Sequence, residues 1–169
     1  MKTFQFEVHG PFDVPLRCSG SRRRLDDDGF WHSDTLNSLS AQSGCYVFAL
    51  RSVKGNVVPE YVGLTRRGFA KEVFNPSNLK KYRRALSASP RHRPVLFLIA
   101  HPKRNGKLNR MYIGELETFL IQAASARNPE VKNTKGVFRP KWKIRGVTGR
   151  RPEKPPRAAA QFRAAMELP

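Results

Sequence analysis

The sequence predicts an α/β (α+β) domain in which strands and helices share one core, and three stretches carry that expectation. Cys45 to Leu50 and Val57 to Thr65 are β-type runs on either side of Lys54-Gly55-Asn56, the layout of a hairpin. Pro94 to Ala100 is an unbroken apolar run of strand length, the kind buried on both faces. Arg110 to Ala126 places Leu116, Phe119, Leu120, Ala123 and Ala124 at helical spacing, so one side of that helix is apolar.

The remaining elements follow in chain order. Residues 1–43 read as an N-terminal extension. Phe4, Phe6 and Val8 alternate with Gln5 and Glu7 as a short strand ending at the Gly10-Pro11 turn. Arg22–Arg24 and Asp26–Asp28 read as an exposed loop of mixed sign. In the hairpin, Pro59 sits early in the second strand, which an edge position or a strand start tolerates. Phe69 to Phe74 predicts a short helix stopped by Asn75-Pro76. Ser77 or Asn78 is placed to cap a further helix from Leu79 to Ala88. Asn128-Pro129 stops the long helix. Residues 137–169 form a basic C-terminal part. Lys141 to Arg145 alternates like a half-buried strand, and 150–157 is a Pro-rich linker. Ala158 to Leu168 reads as a closing helix with Phe162, Ala165 and Met166 on one side. The central unit is 44–136.

Charge narrows the partners. The 169 residues hold 32 Lys+Arg against 13 Asp+Glu, a net +19, and the isoelectric point near 10.9 lies above the level of about 9 that flags nucleic-acid binding. A polyphosphate backbone relieves such self-repulsion and releases counterions. Membrane binding is disfavoured, because no basic amphipathic helix stands out and no apolar run approaches the roughly 18 residues of a membrane span. The first ten residues lack an apolar leader, so a cytoplasmic protein is expected. Two cysteines, Cys18 and Cys45, make neither a disulfide framework nor a four-thiolate zinc site. Gly-rich phosphate loops, a Gly-x-Ser-x-Gly elbow and a His-Glu-x-x-His site are missing, and His9, His32, His92 and His101 share no spacing.

Two tyrosines and one carboxylate remain. Tyr46 follows Gly44-Cys45 at a strand start, and Tyr61 precedes Val62-Gly63 on the paired strand, so both rings can project to one place. β-propensity alone also accounts for them. Glu117 flanks the apolar stripe of the long helix, among Ile113, Leu120 and Ile121. A carboxylate there needs a partner, and a salt bridge and a metal are equally open. Lys80, Lys81, Arg83 and Arg84 are candidates for backbone contacts, and Trp142 either stacks on a base or covers the core edge.

Gly44-Cys45-Tyr46, Tyr61-Val62-Gly63, the helical Glu117 followed by Leu120-Ile121, and Asn128 to Asn133 together resemble the GIY-YIG nuclease superfamily over about residues 44–136. The resemblance implies a small three-stranded antiparallel sheet flanked by helices, with N- and C-terminal elaborations. It also implies an endonuclease, a phosphodiester hydrolase acting on DNA in preference to RNA with one Mg²⁺ or Mn²⁺. By the same resemblance Glu117 holds the metal, Tyr46 takes a proton from the attacking water, Tyr61 positions water or phosphate, and Asn133 fixes local geometry. Two positions depart from the pattern. Lys71 stands where the family usually has a phosphate-contacting arginine, a role Arg67 is placed to share, and Leu64 stands where many members have lysine. These departures keep open an alternative, a nucleic-acid-binding module on the same scaffold with weak or no turnover.

Overall fold

The computed structural model describes residues 4–20, 22–102, 107–128, 142–148 and 155–168. In chain order they form β1 (Phe4–Asp13), β2 (Leu16–Ser19), β3 (Arg22–Leu25), a 3-10 turn (Phe30–His32), α1 (Asp34–Ser40), β4 (Gly44–Arg51) and β5 (Val57–Thr65). These are followed by α2 (Phe69–Glu72), α3 (Pro76–Ala88), β6 (Arg93–Ala100), α4 (Arg110–Arg127), β7 (Trp142–Ile144) and α5 (Arg157–Met166). The main sheet has five strands in the order β5-β4-β6-β1-β7, and β2 pairs with β3 separately. Neighbours are antiparallel except β1 and β7, which run parallel.

This corrects the expected three-stranded antiparallel sheet. β6 is buried along nearly its whole length, so its free edge needs a partner, and β1 supplies it with Val8 opposite Ile99 and Phe12 opposite Leu96. β7 then adds to β1 through Phe4–Trp142 and Phe6–Ile144. Both added strands come from outside the stretch that carried the family resemblance, so that resemblance was silent about them. The short N-terminal strand is also corrected. β1 continues through Gly10-Pro11 with a register shift between His9 and Phe12. Gly10 has φ +108°, and a Cβ there would sit 2.7 Å from the Leu96 carbonyl oxygen, so only glycine fits the bend.

Helices cover both faces of the sheet, and strand alternation sorts the core into two layers. Cys45, Val47, Phe97 and Ile99 face α4 and α5, among Ile113, Leu116, Leu120 and Phe162. Tyr46, Phe48, Leu50, Leu96 and Leu98 face the other way, among Phe69, Val73, Phe74, Tyr82 and Leu86 of the α2–α3 region. Trp142 is 3% exposed and packs edge-on to Phe6 and Phe119, so it covers the core and is closed to base stacking. Arg22 to Leu25 is not a loop but the second strand of a hairpin. Leu25 enters the core, Arg17 pairs with Asp26 at 2.7 Å, and the Arg23 guanidinium donates to the carbonyls of Pro90 and His92. No helix among the described residues is long and apolar enough to cross a membrane.

His101 closes β6. It is 6% exposed, its ring lies 4.8 Å from Phe4, and its Nε2 accepts the Asn109 N–H at 3.0 Å at the head of α4. Burial holds its pKa below the ordinary imidazole range, with the Pro102 backbone opposing, and half-buried His9 is lowered in the same way. The unfolded chain therefore binds these protons first. Stability is full above the unfolded histidine pKa, near 6.5, and falls as pH drops through the lower folded values. Urea midpoints should be lower at pH 5.5 than at pH 7.5, and His101→Gln should shrink the difference. Equal midpoints for the wild type would refute this.

Candidate functional site

The β4–β5 register sets Tyr46 opposite Gly63 and Phe48 opposite Tyr61, which places the two tyrosines diagonally on one face. Their ring centroids are 6.2 Å apart. The Tyr46 ring lies across Gly63, where an added Cβ would come within 2.4 Å of its Oη. Tyr82 of α3 joins them, 6.0 Å from Tyr61 and stacked on Phe48 at 3.9 Å, with its hydroxyl donating to the Val73 carbonyl at 2.9 Å.

Tyr46 is 1% exposed. Burial drives its pKa far above the ordinary phenol value. The charges of Tyr61 and Glu72 add to the rise, and the hydrogen bond from Asn78 only partly opposes it. Burial therefore favours the protonated form of the Tyr46 phenol in this arrangement.

Three residues that the sequence did not mark for this site complete the cluster: Asn78, which it offered only as a helix cap, Tyr82 and Glu72. Asn78 does not cap α3. Asn75 does so, accepting the Asn78 N–H at 2.8 Å, with Pro76 as the first helical residue. That leaves the Asn78 side chain, 2% exposed, to donate to Tyr46 Oη at 2.8 Å and to the Glu72 carbonyl at 2.9 Å. Only the packing of α3 on β4 reveals this, because in sequence Asn78 is another polar residue after a proline. Asn78→Ala strands buried acceptors, and should cost about 1–3 kcal/mol in urea unfolding. A loss below a few tenths would show that the bond to Tyr46 matters little.

Glu117 approaches from the other side of the sheet. It is half-buried on α4 and acts on Cys45, whose thiol is raised by burial and then by the Glu117 charge. Cys45 donates to the Ile113 carbonyl at 3.4 Å. Desolvation raises the Glu117 pKa, and Arg66, just past the end of β5, opposes the rise. The carboxylate whose charge reaches Tyr46 and Tyr82 is Glu72. The structure thus gathers Tyr46 and Tyr61 on the α3 face and sets Glu117 on the α4 face, with Arg66 beside it. Asn133 lies outside the described residues. No three His, Cys, Asp or Glu side chains gather as a metal site among the described residues. Glu117 offers one partly desolvated carboxylate, which suits a Mg²⁺ that takes water and phosphate oxygens for the rest.

Lys71 and Arg67 are exposed around α2. Lys80, Lys81, Arg83 and Arg84 are all exposed on α3, opposite Asn78, Tyr82 and Leu86, which are buried. The spacing puts Lys80 and Arg84 one turn apart, with Lys81 and Arg83 to either side. The Lys81 ammonium stands 4.1 Å over the Tyr61 ring. The ion pairs recorded among the described residues use Arg17, Arg51, Arg127 and Arg145, not these side chains. No family model, curated protein or solved structure matches this chain.

Proposed function

We propose that this protein binds nucleic acid, DNA ahead of RNA, along the exposed side of α3. The observation that carries the reading is the four-cation face of that helix, with Lys71 and Arg67 near its start and no ion pair to a carboxylate recorded against it among the described residues. Helix spacing matches such a face to successive phosphates of a backbone, and the net charge of +19 supplies attraction at longer range.

A second reading is metal-dependent phosphodiester hydrolysis in the GIY-YIG manner. It is favoured by Tyr61, paired with Tyr46, lying beneath the Lys81 ammonium, while Glu117 stands on the opposite face of the sheet and counts against one centre built from all three. Glu117 would hold the divalent ion, which when bound polarises the phosphate and acidifies water. Tyr46, locked by Asn78 and protonated, orients its neighbour in this reading. Tyr61, half-buried beside an ammonium, is the phenol open to a water or a phosphate oxygen.

Fluorescence anisotropy with duplex DNA and RNA over a salt series, followed by incubation with plasmid in Mg²⁺ or Mn²⁺, tests both readings. Steep, salt-sensitive binding is expected, and Glu117→Ala should leave it intact. Failure to bind at about 50 mM salt would overturn the first reading. Cleavage that needs metal and falls at least about a hundredfold in Glu117→Ala supports the second. Equal cleavage by both proteins, or none by either, rejects it.

A further inference from the structure

The hairpin-turn end of the sheet, away from Tyr46, carries a different basic site. Arg51 at the end of β4, Arg127 at the end of α4 and Arg157 at the start of α5 line a cleft of about 430 Å³, with Asn56 and Gln161 beside them and no carboxylate among the described lining residues. Two of the guanidiniums are fixed from the rim, Arg51 by Asp13 at 2.8 Å and Arg127 by Glu167 at 2.6 Å. Each arginine has five N–H donors, so these pairs leave others free. The Arg127 Nε is buried and has no acceptor.

The start of α5 is unsatisfied as well. Pro156 is its N-cap, no side chain caps the first turn, and no acidic residue lies there. Arg157 instead sets a positive charge against the positive end of the helix. The Arg157 guanidinium, unpaired among the described residues, the buried Arg127 Nε without an acceptor and the uncapped helix start all favour negative charge in this cleft. One anion with several oxygens answers the Arg157 charge and the open N–H groups at the start of α5 together.

We propose that this cleft binds a phosphate monoester. The volume is in the range of small-ligand sites and accommodates a phosphate with an attached nucleoside. Two sources share that chemistry, a free nucleoside monophosphate and the 5′-terminal phosphate of a nucleic-acid strand. The site stands independently of the α3 surface.

The test uses the full chain at constant ionic strength, set with chloride. Calorimetric titration compares a nucleoside 5′-monophosphate with the bare nucleoside, and a 5′-phosphorylated oligonucleotide with its 5′-hydroxyl twin. Arg157→Gln and Gln161→Glu are exposed changes that spare the core. A phosphate-dependent affinity that falls about tenfold or more in both variants is expected. If the 5′-phosphate strengthens oligonucleotide binding and Arg157→Gln abolishes the gain, the source is a strand end. If the two oligonucleotides bind equally while the monophosphate binds, the source is a free nucleotide. No phosphate-dependent binding in either arm, or binding unchanged in both variants, overturns the proposal.

Discussion

Replacing Lys80, Lys81, Arg83 and Arg84 together by glutamine is expected to weaken nucleic-acid binding by about a hundredfold or more at moderate salt. Each lost phosphate contact should also flatten the dependence of log K on log salt by about one unit. Affinity of this kind comes from counterion release, so the slope counts contacts where a single dissociation constant does not. The four side chains are exposed and contribute little to the core. Stability should therefore change by no more than about 1 kcal/mol, mostly from the Lys81 ammonium over the Tyr61 ring. Anisotropy at four or five salt concentrations, with urea unfolding as the control, decides the matter. An unchanged slope would move the interface off α3.

Gly44→Ala should give the largest loss of stability from a single methyl group. Gly44 opens β4 between β5 and β6, and a Cβ there would lie 2.1 Å from the Ile99 carbonyl oxygen. That oxygen belongs to the backbone of the neighbouring strand, so relief requires parting the β4–β6 ladder at Gly44–Ala100 and Cys45–Ile99. The expected cost is about 3 kcal/mol, at the upper end for overpacking, against a total stability of about 5–15 kcal/mol for a domain. Gly63→Ala should cost less, because its clash is with the Tyr46 ring, which can swing aside. Its signature would be an altered near-UV tyrosine signal. Urea unfolding of both variants checks the order, and a Gly44→Ala loss below about 1 kcal/mol would refute it. The glycines of both tripeptides thus have steric reasons to be there apart from any chemistry.

How far the sequence revealed this molecule depended on how local each signal was. The β4–β5 hairpin, the apolar β6 and the stripe of α4 show in the chain because their patterns repeat within one element. β1 was cut short because Gly10-Pro11 has the composition of a turn, whereas here it forms a bend inside a paired strand. The alternation of Lys141 to Arg145 announces β7, but its parallel pairing with β1 spans most of the chain, so no local pattern announces that. The candidate site divides the same way. Tyr46 and Tyr61 share a face by strand alternation, which can be read from spacing. The bond from Asn78 to Tyr46 and the reach of the Glu72 charge depend on how α2 and α3 settle on the sheet. Glu117 shows the limit of helix periodicity, which located it at the edge of the core without saying which face of the sheet it would meet.

The parallel pairing of β1 with β7 constrains how the chain is made. β1 is synthesised before both of its neighbours, first β6 and later still β7. A nascent chain halted before Trp142 would leave β1 as an outermost strand with Phe6 stripped of its indole cover, a template for sticking to other copies. Folding of the sheet on the ribosome must then wait for the later strands, and such long-range pairing makes the step slow. Stalled or truncated products should be the ones that chaperones hold.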